Sequence, residues 1–181
     1  MDSEIRSKKI KLVVLDVDGV LTNGQLVFGT QGELLKKFHA QDGLGIALAH
    51  NVGLKTAIIT GRKSQMVELR SAELGIGDVY QGSLSKVEAL HDLMNKYNLT
   101  LDEIAYVGDD LNDLPVLTRV GFPCAVANAA PEVKEHALLV TKKPGGNGAV
   151  REVIEHILKS QGKWKEIIDG YLQGQVMDAK Q

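Results

Sequence analysis

Apolar residues in this chain fall into two alternating kinds of run. Ile10–Val17 is an almost unbroken stretch of β-branched residues and leucine, as expected of a strand covered on both faces. Similar runs follow at Lys55–Thr60, Ile104–Val107, Pro123–Val126 and Leu138–Thr141, with a weaker one at Asp78–Gln81. Between them, Gly43–Asn51, Ser64–Leu74, Leu84–Tyr97, Asn112–Val120 and Gly148–Ser160 carry an apolar stripe near the helical period. Strands alternating with helices at this spacing predict right-handed crossovers. The expected fold is therefore α/β, a three-layer, doubly wound, mostly parallel sheet. Ligands in such sheets bind at the carboxyl ends of the strands, where the strand order reverses.

One segment interrupts the alternation. Gln25–Phe28 and Glu33–Phe38 flank Gly29-Thr30-Gln31-Gly32, which reads as a β-hairpin with a glycine-bearing turn, a flap over about residues 25–38. From Gln161 on, Trp164, Ile167, Ile168, Tyr171 and Leu172 at helical spacing predict a docking helix and a frayed tail, over about 161–181. The 181 residues suit a single domain spanning the chain. A 44% hydrophobic and 24% charged composition argues against disorder. With 23 acids against 21 bases the net charge is −2, which excludes a chain that grips nucleic acid through overall basicity. The apolar runs are strand-length, far below the roughly 20 residues that cross a bilayer, so no membrane partner is expected. The first nine residues hold no apolar signal core, and the expected location is cytoplasmic. Cys124, the single cysteine, cannot form an internal disulfide.

The strand ends carry the chemistry. The first runs into Asp16-Val17-Asp18-Gly19-Val20, two carboxylates where aspartate is a poor strand residue. Taken alone, the pair fits ordinary turn chemistry. The other ends weaken that reading: Thr60-Gly61-Arg62 closes one strand, Gly108-Asp109-Asp110-Leu111-Asn112-Asp113 another, and Lys86 opens a helix after Gln81-Gly82-Ser83. In a parallel sheet these ends meet on one edge. Together they supply acids for a hard cation, and hydroxyl, ammonium and N–H groups for a phosphate.

In its order of motifs (Asp16-Val17-Asp18-Gly19-Val20, Thr60, Lys86, then Gly108-Asp109-Asp110 with Asp113) the chain resembles the haloacid dehalogenase-like superfamily of aspartyl-phosphate phosphatases. Phe38, Asp42-Gly43, Ile58–Arg62, Tyr80-Gln81-Gly82, Ala105–Leu111 and Gly148–Glu152 extend the resemblance to its 3-deoxy-D-manno-octulosonate 8-phosphate (KDO 8-phosphate) phosphatase subfamily. The resemblance implies Mg²⁺ held by the Asp16 carboxylate, the Asp18 main-chain carbonyl and the Asp109 carboxylate, with Asp113 completing or orienting that shell. It implies Asp16 as nucleophile, Asp18 as general acid and base, Thr60 and Gly61 as ligands of the phosphoryl oxygens, and Lys86 as the neutralising cation. A cation is needed: one pair of like unit charges about 4 Å apart costs on the order of 4 kcal/mol at an effective dielectric near 20, and a phosphate dianion roughly doubles it.

The gaps of 43 residues between Asp16 and Thr60 and 25 between Thr60 and Lys86 leave no room for the cap domain of larger relatives. By resemblance the enzyme is a homotetramer in which the flap and a neighbouring subunit cover the site. Leu26, Val27, Phe28, Leu34 and Leu35 would otherwise form an exposed patch, unless they pack on their own subunit. The implied partner is a small-molecule sugar phosphate whose carboxylate suits Arg62 and Arg70. Ala47 departs from the arginine of the subfamily pattern, which keeps nonulosonate 9-phosphates (neuraminate or deaminoneuraminate type) open as substrates. Gly145–Gly148 reads either as a loop approaching a helix N-terminus or as a plain turn. His39, His50, His91, His136 and His156 show no metal-ligand spacing. Trp164 can anchor the last helix or an interface. A receiver-type signalling domain also gathers acids, Thr and Lys at one sheet edge, but it lacks an acid two residues after its phosphorylated aspartate. A catalytically silent binding protein on this fold would not need the full reactive set.

Overall fold

The computed structural model describes residues 2–174. A short helix, α1 (Asp2–Ser7), leads into β1 (Leu12–Leu15), which is buried at every position. The hairpin β2 (Val27–Gly29) and β3 (Gly32–Leu35) follows as a separate antiparallel pair. The chain continues through α2 (Ala40–Asn51), β4 (Lys55–Thr60), α3 (Gln65–Glu73), β5 (Asp78–Gln81), α4 (Lys86–Tyr97) and β6 (Ile104–Gly108). It ends with α5 (Leu114–Leu117), β7 (Phe122–Ala125), α6 (Pro131–Glu135), β8 (Leu139–Val140), α7 (Ala149–Ser160) and α8 (Trp164–Leu172).

The main sheet is parallel throughout, in the order β5-β4-β1-β6-β7-β8. The strand order reverses at β1, whose Leu15 pairs with Ile58 of β4 on one side and Val107 of β6 on the other. Asp16, one residue further, therefore emerges between two neighbouring strand ends, which is where a doubly wound sheet opens its crevice.

Helices cover both faces. α7 turns Val150, Val153, Ile154, Ile157 and Leu158 inward and lies against α2. Gly45 permits that approach: a Cβ there would lie 2.9 Å from Arg151 Cδ and 3.2 Å from Arg151 Cα. The Trp164 ring receives the Arg151 guanidinium at 5.2 Å and the Lys159 ammonium at 5.3 Å, so it ties α8 to α7.

Several boundaries differ from expectation for local reasons. The run Ile10–Val17 is strand only to Leu15, because the chain turns at Asp16 and Gly19 adopts φ +96°. Residues 112–120 do not make one helix. A 3₁₀ turn over Leu111–Asp113, tightened by the Asp113 carboxylate on the Asp109 and Asp110 N–H groups, leads into the short α5 with Pro115 in its first turn. No cap is inserted among the described residues: β2, β3 and α2 fill the span from Asp16 to Thr60, and α3 and β5 the span to Lys86. No described helix is long and apolar enough to cross a membrane. The tail expected beyond residue 174 lies outside the described residues.

Candidate active site

β1, β4 and β6 deliver their ends to one edge, and α4 starts there. Asp16 N donates to Val107 O at 3.1 Å, which fixes the chain as it leaves the strand. Lys86, the first residue of α4, sends its ammonium under Asp16. Nζ lies 2.6 Å from Asp113 Oδ1, 3.3 Å from the Tyr106 hydroxyl and 3.1 Å from Asp16 Oδ1. The Tyr106 hydroxyl donates to Asp113 Oδ1 at 2.5 Å, and Asp113 Oδ2 accepts from Asp109 N at 2.8 Å and Asp110 N at 3.3 Å. Asp16, Lys86, Tyr106 and Asp113 are all buried.

The cluster is over-acidic. One carboxylate oxygen each from Asp16, Asp109 and Asp113 lies within 4.8 Å of the others, against the single ammonium of Lys86. Burial, with the Asp113 charge behind it, pushes Asp16 up to about 6 despite Lys86. Burial, then Asp16 and Asp113, pushes Asp109 up to about 7. Burial works against the charged form of Lys86, but Asp16 and Asp113 outweigh it and hold that pKa above the ordinary lysine value. Asp16 Oδ1 and Asp109 Oδ1 are buried without an aligned hydrogen bond, even though Lys86 Nζ lies within ion-pair distance of the former. Buried, mutually repelling oxygen ligands with unused lone pairs fit a hard divalent cation such as Mg²⁺. Gly19 makes the cluster possible, because a Cβ there would stand 1.9 Å from Asp109 Oδ2.

Thr60 is buried, and its carbonyl accepts from Ser83 N at 3.1 Å, holding the β4 end against the loop that leads to Lys86. A Cβ built on Gly61 meets nothing within 4 Å, so the backbone borders open space there. Anionic ligands, cations and an open backbone edge thus converge at the switch point of the sheet.

The model of the haloacid dehalogenase-like hydrolases matches residues 54–154. The chain is 47% identical over 165 residues to the 3-deoxy-D-manno-octulosonate 8-phosphate phosphatase of Escherichia coli, covering 91% of this chain and 88% of that one. The chain belongs to the haloacid dehalogenase-like hydrolases. Among solved structures, the Yersinia pestis 3-deoxy-D-manno-octulosonate 8-phosphate phosphatase superposes with TM-score 0.89 at 43% identity, covering 91% and 89% of the two chains. The Moraxella catarrhalis phosphatase of the same name, in complex with a magnesium ion, a phosphate ion and KDO, superposes with TM-score 0.91 at 42% identity, covering 94% and 98%.

The remaining residues of this hydrolase divide into those that face the edge and those that do not. Asp18 is reached by Lys36, which donates to Oδ1, and by Arg62, whose Nε lies 3.6 Å from Oδ2. Arg62 also stands 5.6 Å over the Phe28 ring of the hairpin. Arg70 packs elsewhere: it pairs with Glu73 at 2.7 Å, and a Cβ on Gly43 of α2 would lie 2.4 Å from its Nη2. Its contacts include none of the groups above. Ala47 lines a depression with His50, Asn51, Ala72, Glu73, Leu74 and Gly75, at the C-terminal turns of α2 and α3. That is the end of the sheet opposite the carboxylates. Gly145–Gly148 is a supporting loop. Gly146 N donates to Val20 O at 2.9 Å, a Cβ on Gly145 would sit 1.6 Å from Gly19 O, and buried Asp42 takes the N–H groups of Gly148 at 3.1 Å and Arg151 at 2.8 Å. The first turn of α7 is therefore capped from within the protein.

Tyr106 and Lys36 are the site residues that pattern reasoning missed. A tyrosine inside the apolar run Ile104–Val107 needs a partner for its hydroxyl when buried, and that was a usable signal. Nothing in Lys36-Lys37 distinguishes the covered lysine from its exposed neighbour.

Proposed function

We propose that this hydrolase is a Mg²⁺-dependent phosphatase that converts KDO 8-phosphate to KDO and inorganic phosphate through an aspartyl-phosphate. The observation that carries the reading is the pairing of Asp16 and Asp109 beside the Lys86 ammonium, at an edge left open by Gly61. Asp16, Asp109 and the Asp18 carbonyl would hold the metal. Asp113, with both oxygens already engaged, orients Lys86 and the Asp109 turn. When bound, the ion offsets the repulsion between Asp16 and the phosphate dianion.

An Asp16 oxygen bonds to phosphorus as the bond from phosphorus to the sugar oxygen breaks, and Asp18 gives that oxygen its proton. Asp18 then takes a proton from a water that attacks the aspartyl-phosphate. Phosphorus leaves Asp16, which regains its carboxylate, and inorganic phosphate departs. The Thr60 hydroxyl and Gly61 N–H hold phosphoryl oxygens throughout, and Lys86 neutralises the charge that develops on them. Arg62, whose guanidinium stands by Asp18 and over the Phe28 ring, is proposed to pair with the sugar carboxylate when substrate is bound. Arg70, paired with Glu73 through Nη1 and with Nε unpartnered, is proposed as a second cation for the sugar.

The chain is proposed to act as one domain in a cytoplasmic homotetramer whose product feeds lipopolysaccharide assembly. Support for the assembly comes from the hairpin, where Phe28 is 57% and Leu34 60% exposed in the single chain. The departure at Ala47 from the subfamily's arginine keeps a nonulosonate 9-phosphate as a second reading of the substrate, although in the single chain Ala47 lies at the end of the sheet away from Asp16. Phosphate release measured with Mg²⁺ across KDO 8-phosphate, neuraminate and deaminoneuraminate 9-phosphates and hexose phosphates tests both. KDO 8-phosphate is expected to be preferred, and Asp16→Asn to abolish turnover in a folded protein. Preference for a nonulosonate moves the substrate to the second reading, and retained turnover in Asp16→Asn ends the mechanism.

A further inference from the structure

Lys36 follows the last residue of β3, and its side chain is only 2% exposed. A covered ammonium needs acids around it. Nζ donates to Asp18 Oδ1 and lies 3.0 Å from Glu33 Oε1. The other oxygen of Glu33 accepts from the hydroxyl of Ser64, the residue that begins α3 just after the Thr60-Gly61-Arg62 turn. A chain of contacts therefore runs from Ser64 through the hairpin to Asp18. On its other side Asp18 faces Arg62, itself set against Phe28 of the hairpin.

The two cations, Lys36 and Arg62, are matched by two acids, Asp18 and Glu33, so the group is locally neutral. Its effect is directional: each oxygen of Asp18 is aimed by a cation that Asp18's own loop does not supply. We propose that Lys36 is a positioning residue for phosphoryl transfer, carried by the hairpin and latched through Glu33 to Ser64, which points the Asp18 carboxylate at the sugar oxygen that departs. Docking of the hairpin and readiness of the acid are then one event, a coupling that larger relatives can assign to a cap. The role presupposes the phosphatase chemistry proposed above.

Lys36→Met removes the ammonium and keeps the length of the side chain. Its kcat/KM, measured with Mg²⁺ on KDO 8-phosphate and on p-nitrophenyl phosphate, separates positioning from mere structure. A sugar alkoxide needs the Asp18 proton to leave, whereas nitrophenolate departs without one. The sugar phosphate is expected to lose about 100-fold, within the share that acid catalysis supplies, and the nitrophenyl ester no more than about a tenth of that loss. Glu33→Gln, which loosens the latch and leaves Lys36 in place, shifts the ratio in the same direction by less, and it decides the matter if Lys36→Met does not fold. Equal losses on the two esters would overturn the proposal. So would a loss confined to KM for the sugar phosphate, which would make Lys36 a ligand of the substrate. A wild-type protein inert toward both esters would sink the phosphatase reading, and the role of Lys36 with it.

Discussion

Removing Mg²⁺ should destabilise the protein by an amount that grows with pH. Burial and the Asp113 charge raise Asp16 from 3.8 to about 6, and burial with Asp16 and Asp113 raises Asp109 to about 7. A carboxyl whose folded pKa is raised contributes most below its unfolded value, and that contribution is lost as pH rises through the folded one. Asp16 accounts for about 3 kcal/mol on this basis. Asp109, partly open to solvent, accounts for about 2 kcal/mol after screening. Each raises the other, so the sum counts their repulsion twice, and roughly 3–4 kcal/mol is the expected loss for the metal-free protein between about pH 4 and 8. For a chain of this size that is about 10 °C in Tm.

His50 and His156 run the other way. Burial lowers both, and a base with a depressed folded pKa adds stability as pH rises through 6.5. A single pH curve mixes the two trends. The difference between curves in EDTA and in excess Mg²⁺ isolates the carboxylates, because the metal binds their charged forms and leaves both histidines alone. Thermal unfolding near pH 5 and near pH 8 should show a Mg²⁺ stabilisation several kcal/mol larger at the higher value. An equal effect at both, or an Asp109→Asn variant with the same pH dependence, would refute the reasoning.

Three further outcomes follow from the geometry. Gly19→Ala drives a methyl into Asp109 at a backbone angle of +96°, so calorimetry should show at least about tenfold weaker Mg²⁺ binding in a chain that still folds. Asp42→Ala frees two N–H groups at the start of α7, and urea unfolding should report a loss of about 2 kcal/mol, with a change below about 0.5 counting against the cap. Leu34→Glu puts a charge on the exposed hairpin face, and sedimentation should show the proposed tetramer giving way to smaller species while the secondary structure is kept.

Most of the architecture was legible because the sheet is covered on both faces, and a strand such as Leu12–Leu15 with no polar side cannot hide its run. Asp16, Asp18, Thr60 and Asp109 stood out for the opposite reason: each breaks such a run or follows it where packing alone has no use for it, and Lys86 stood out as the cation opening the helix after Gln81-Gly82-Ser83. α1 and α6 escaped because six and five residues are too few to display a helical period. The 3₁₀ turn at Leu111–Asp113 escaped because it depends on where one carboxylate points, and the apolar stripe of residues 112–120 carries no record of that. Arg70, which the resemblance implies for the substrate, pairs with Glu73 and packs against Gly43 in the single chain, and no local pattern along α3 foretells that placement. Contacts between the hairpin and the Thr60 loop join Glu33 to Ser64, 31 residues apart, and no local pattern encodes them.

The site has two halves built by different means, and they should answer to different assays. Asp16, Lys86, Tyr106 and Asp113 form a buried network anchored on strands and on the first residue of α4, so changing any of them disturbs hydrogen bonds that the fold itself uses. Asp18, Arg62, Lys36 and Glu33 sit at the rim, held by ion pairs between a two-stranded hairpin and a loop. A hairpin of that size is marginal alone and draws its order from what it touches. Substitutions in the first half should therefore move unfolding curves and turnover together, whereas those in the second should move turnover with little change in stability. Such a division suits a hydrolase without a cap, because the proposed phosphate and metal ligands stand on the sheet and α4, while the proposed sugar-side groups are joined only by ion pairs and hydrogen bonds across the hairpin.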